Sequence, residues 1–89
     1  MLHIEFPCTA EIADLVHEIA ATMILTFDMP LEEAEGRINK FWTGFTFLEP
    51  IQTMPLLHET PDYWAKTIYY GPGVMWWLGE EGLTPTRYP

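Results

Sequence analysis

Asp14, His17 and Glu18 have the side-chain types that hold a divalent cation, and their spacing puts all three within about one turn of a helix. The set is incomplete. No second histidine stands at i+4 or i−4, and two carboxylates with one imidazole leave positions that His58 and Glu59 could fill only by folding back from a distant segment. The expectation is therefore no metal and no cofactor. Cys8 is the other reactive type. Just ahead of a helix it would gain thiolate character from the helix dipole, with His3, His17 or His58 as the base. A free cysteine is more often a small buried side chain, and that is what is expected here. The chain carries no glycine-rich phosphate loop, no GxSxG and no HExxH, and Gly71-Pro72-Gly73 reads as a turn. These observations point away from an enzyme.

Charge is the stronger signal. The net charge is −9, and the first 36 residues hold Glu5, Glu11, Asp14, Glu18, Asp28, Glu32, Glu33 and Glu35 without one Lys or Arg. A field of one sign steers basic partners and repels nucleic acid and anionic membrane. Glu11, Asp14 and Glu18 repeat at three and four residues, so they project from one side of a helix, where like charges cost a few tenths of a kcal/mol for each pair, roughly. Such a face either keeps the protein in solution or docks a basic protein. Mimicry of a phosphate backbone is the weaker form of the docking idea, because three charges over ~10 Å match the phosphate spacing only loosely.

Aromatic residues supply a second set of candidates. Tyr63, Trp64, Tyr69, Tyr70, Trp76 and Trp77 crowd one stretch of the chain, and adjacent tryptophans must point in different directions in either a helix or a strand. One of Trp76 and Trp77, or Tyr70, is thus a candidate contact anchor of the kind enriched at protein interfaces. Stacking on nucleic acid needs a basic groove, and only Lys66 lies nearby.

Three helices are expected to position these groups. Ile12, Leu15, Val16, Ile19, Ala20, Met23, Ile24 and Phe27 form an amphipathic stripe that predicts a helix over 10–27, capped by Thr9 and opposed by the acidic face. After the turn at Asp28 to Pro30, the spacing predicts a second helix over 31–43. There Glu32, Glu33 and Glu35 suit the positive end, Arg37 and Lys40 the negative end, and Glu33 pairs with Arg37. A third helix is predicted over 61–70, with Thr60 as its cap and Pro61 in its first turn. Residues 45–60, divided by Pro50 and Pro55, read as an ordered loop, and residues 80–89 as an extended tail. Alternation in Leu2–Phe6 and Phe45–Phe47 allows a short paired strand.

At 89 residues this is one small domain, mainly α, with an irregular aromatic-rich C-terminal region. A single cysteine, no signal-like start and no apolar run long enough to span a membrane make the cytoplasm the expected compartment. The leading functional expectation is a small acidic, non-enzymatic interaction protein that binds and inhibits or neutralises a basic protein, such as a nucleic-acid-binding enzyme, as immunity proteins do. Its contact residues would be Glu11, Asp14, Glu18, Glu32, Glu33, Glu35, Tyr70, Trp76 and Trp77. The alternative is a self-associating subunit closing a homodimer through Leu25, Met29 and the tryptophan pair; a small metal protein or enzyme ranks third.

Overall fold

The computed structural model describes residues 2–89. Among these residues four α-helices follow one another, α1 (Ala10–Phe27), α2 (Leu31–Phe41), α3 (Pro50–Leu57) and α4 (Pro61–Tyr70), and a short 3-10 turn spans Trp76–Leu78. The other three helices all pack on α1. Among the described residues no helix is long and apolar enough to cross a membrane.

The apolar stripe of α1 does what its spacing requires. Ile12, Val16, Ile19 and Met23 are wholly buried, and burying each such side chain stabilises the fold by about 1.5–3 kcal/mol. Thr9 caps the helix by accepting from the Ile12 amide at 3.2 Å. Asp28 closes it in the left-handed region, at φ 52°. From the facing elements Ala34, Ile38, Trp42, Ala65 and Ile68 complete the core. Phe6 and Phe47 add two rings that meet Trp42 and each other edge to face at 5.5–5.6 Å.

Three expectations are corrected. The segment read as a loop contains α3: Glu49 and Gln52 form a reciprocal capping box and Pro50 occupies the first turn, where its missing N–H costs nothing. Pro55 does not break this helix. The carbonyl it leaves without an i+4 donor is that of Ile51, a residue 84% exposed to water. Second, α2 stops at Phe41 rather than 43; Trp42 caps it, and the chain then turns through Gly44 at φ 85°. Third, Leu2–Phe6 forms no strand. Ladder-type pairing is limited, among the described residues, to one bridge between Cys8 and Phe47.

A side chain replaces the missing ladder. Asn39, buried on α2, donates to the His3 carbonyl at 2.8 Å and accepts from the Glu5 amide at 2.8 Å, the pattern a neighbouring strand would offer. Glu35 accepts from the His3 amide at 2.6 Å.

The tail is mostly irregular but does not run free. Arg37, 7% exposed, donates through Nη1 to the carbonyl and hydroxyl of Thr86, at 3.0 and 2.8 Å, and through Nε to Glu33 at 2.8 Å. Its guanidinium also lies 5.1 and 5.4 Å from the ring centres of Tyr69 and Tyr88. The Thr86 amide donates to the Tyr69 carbonyl at 2.8 Å. A Cβ on Gly36 would overlap the Tyr88 ring, so the absence of a side chain there lets the tail lie against α2.

Candidate interaction surface

The outward face of α1 carries Glu11, Asp14 and Glu18, all exposed and none in an ion pair among the described residues. The same spacing of three and four continues through Ala21 to Leu25, also exposed. Five residues thus form one solvent-facing stripe about 21 Å long, at 1.5 Å per residue. Leu25 is 85% exposed, more than any other large apolar side chain among the described residues. It falls outside the apolar series 12, 15, 16, 19, 20, 23, 24, 27, so the sequence already placed a leucine on the polar face. Its continuity with the three acids is the signal that could have marked it.

The second acidic group divides. Glu33 is engaged by Arg37 and Glu35 by the His3 amide, while Glu32 stays exposed. Two of these three carboxylates therefore hold the fold together, and their charge contributes to the general field rather than to a free contact.

The aromatic candidates also separate. Tyr70 is half-buried and its hydroxyl donates to Glu80 Oε1 at 2.9 Å; burial first, and that hydrogen bond second, push its pKa up to about 12. Lys66 meets the other Glu80 oxygen at 2.8 Å, and the two donors hold the Glu80 carboxyl below its ordinary range. Trp76 is half-buried as well: its Nε1 donates to Thr67 Oγ1 at 3.3 Å, its ring meets Tyr63 edge-on at 5.8 Å, and the Lys66 ammonium lies 5.2 Å from its centre. Trp77 is different. It is 57% exposed and meets Trp76 edge-on, and Met75 and Leu78 in the same segment are exposed as well.

Met29 leaves the set proposed for a dimer, because it is 6% exposed and belongs to the core. The turn between α1 and α2 folds it inward. Exposed apolar surface lies instead on and beside α3, where Leu48, Ile51, Met54 and Leu57 all face water and the helix bears no charged residue.

Cys8 is half-buried in the bridge to Phe47, and burial pushes its thiol up, the direction opposite to that of an activated nucleophile. Among the described residues no three potential ligands gather into a metal-binding group. His17 Nδ1 lies 2.7 Å from the Ala13 carbonyl of its own helix, and His58 caps the far end of α3. No protein-family model, curated protein or solved structure matches the chain.

Proposed function

We propose that the protein is a non-enzymatic interaction module that captures a basic protein partner and inhibits or neutralises it, a nucleic-acid-binding enzyme being a fitting class of target. The observation that carries this reading is the α1 stripe, in which three unpaired carboxylates lead to a large, almost fully exposed apolar side chain, Leu25. Charges of one sign raise the rate of encounter, and an apolar anchor beside them is desolvated on docking and slows release. Glu32 and the bound acids Glu33 and Glu35 add to the steering field, and Trp77 offers a second anchor, with Trp76 packed against it and Tyr70, nearby in sequence, held by Glu80.

The test begins with recovery of a partner from the native host, using the whole chain as bait, followed by association kinetics. Asp14→Lys with Glu18→Lys is expected to lower the association rate about tenfold or more at low salt, and by a smaller factor at physiological ionic strength, where the Debye length is about 8 Å. Leu25→Ser is expected to act on the dissociation rate instead. An association rate that ignores the double charge reversal at low salt would leave the acidic face as a solubilising surface and nothing more.

A second reading, self-association, is favoured by the uncharged exposed face of α3. In a chain of net charge −9, two copies would meet most readily along a helix that carries no carboxylate of its own, with Glu49 at its cap. Light scattering at low micromolar concentration separates the two readings. A dimer dispersed by Ile51→Asp supports the second.

A further inference from the structure

The chain has four basic residues, and three of them, Arg37, Lys40 and Arg87, line one cavity of about 460 Å³. None of the thirteen acidic residues lines it. The cavity opens between α2, the end of α4 and the tail, and its remaining wall is largely apolar, with Phe41, Phe45 and Tyr88 supplying rings. Arg37, Lys40 and Phe41 reach it together because they share one face of α2 at a spacing of three and one.

Two of the three cations are uncommitted. Lys40 and Arg87 make no ion pair among the described residues, although carboxylates outnumber bases more than threefold in this chain; the Lys40 ammonium only approaches the Arg87 carbonyl, at 3.4 Å. Arg37 is held in place by Glu33 and Thr86 through Nε and Nη1, and its Nη2 has no hydrogen-bond partner among the described residues while keeping some access to solvent. The dipole of α2 explains a cation at Lys40. It does not explain an apolar cavity beside that cation, nor a second unpaired cation brought to the same rim by a segment far along the chain.

We propose that this cavity binds a small aromatic carboxylate, its ring system between Phe41, Phe45 and Tyr88 and its anionic group at Lys40 and Arg87. The volume lies within the few hundred Å³ typical of small-molecule sites, and the composition, mostly apolar with a few convergent polar groups, is what such sites use to bind and orient a ligand. Charge fixes the class. A neutral ligand would leave the rim cations unused, and a cation would meet two unpaired like charges, Lys40 and Arg87. The site is independent of the α1 stripe, so either can fail without the other.

The test uses the full chain, isotope-labelled, titrated by NMR with naphthalene-2-carboxylate and with 2-naphthamide, which has nearly the same shape but no charge. The carboxylate is expected to bind about tenfold more tightly, the factor that 1.4 kcal/mol of pairing gives, with shifts centred on Phe41, Phe45 and Tyr88. Lys40→Gln with Arg87→Gln, both at exposed positions, is expected to remove that preference while leaving amide binding unchanged and lowering the melting temperature by no more than a few degrees, the share of the helix-dipole contact at Lys40. Equal affinity for the two probes, shifts centred on Trp77 or α3 instead, or no saturable binding by the carboxylate would overturn the proposal.

Discussion

Replacing Arg37 by Met tests how the tail is held. Met fills much of the same volume and continues the helix, so the change removes charge and donors more than packing. Two donor hydrogen bonds to Thr86 disappear, each of a kind worth about 1.5–3 kcal/mol when one partner is charged. Contacts with the faces of Tyr69 and Tyr88 go as well, at about 0.5–1 kcal/mol apiece for partly exposed rings. Against this stands the desolvation of a guanidinium that is 7% exposed, several kcal/mol that the variant no longer bears. Glu33 is 29% exposed and recovers solvent when its partner is lost, so it adds little to the cost. The balance is a loss of about 2–3 kcal/mol, which in a domain of this length lowers the melting temperature by about 10–20 °C. The loss is expected to begin at the tail. Hydrogen exchange at the Thr86 amide, which donates to the Tyr69 carbonyl, should quicken under conditions where amides in the middle of α1 remain protected. Arg37→Lys keeps the charge but not the fork, and should recover only a minor part of the stability. A methionine variant that melts with the wild type and keeps its Thr86 amide protected would refute the reasoning, because the ring contacts and tail packing would then suffice without the guanidinium.

Two further outcomes follow from neighbouring contacts. Gly36→Ala should be neutral or destabilising in the wild type, where the new methyl meets Tyr88, but stabilising by about 0.5–1 kcal/mol in a Tyr88→Ala background, where only helix propensity remains; denaturant unfolding of the four proteins in the cycle measures the coupling. The Lys66, Glu80 and Tyr70 cluster should leave its mark at both ends of the pH scale. Glu80 is held below its ordinary 4.5, so its contribution is present above that value and fades as pH falls through the folded-state value. Lys66 and Tyr70 are shifted upward, so theirs is present below about pH 10 and is lost as the solution becomes more alkaline. Glu80→Gln should flatten both limbs and bring the Tyr70 transition, followed by ultraviolet absorbance, part of the way down from about 12, with burial retaining the rest.

Elements built from local signals were legible in the sequence. The stripe of α1 and the Thr-Pro start of α4 gave bounds that agree with the structure, because cap, period and terminator all lie within the segment itself. The α3 segment was obscured by its composition: apolar residues on every side hide a helical period, and a proline at position 55 looks like a break when the exposure of the carbonyl it frees is unknown. Glu49 and Gln52, three residues apart around a proline, were the readable sign. Contacts of long sequence separation were not legible in this way. Arg37 could be paired with Glu33 from spacing alone, yet its larger attachment is to Thr86, and no local pattern announces a partner 49 positions away. Nothing in the residues around Gly36 announces that Tyr88 lies against it. The α1 stripe is half visible in the sequence: its acids stand out as an unbalanced face, while Leu25, on the same line, has no charge to tie it to them.

Helix α2 grips both end segments of the described chain, residues 2–6 through Glu35 and Asn39 and the tail through Arg37, and does so with side chains that alternate around its circumference. A pulling force applied through those two segments would meet α2 from both sides before it reached the apolar contacts between α1 and α4. The first mechanical event would then be the shearing of a few charged and amide hydrogen bonds, most of them on a single eleven-residue helix and the rest from Thr86 to the Tyr69 carbonyl. In this fold α2 is the fuse, and the buried stripe of α1 carries load only after it has given way.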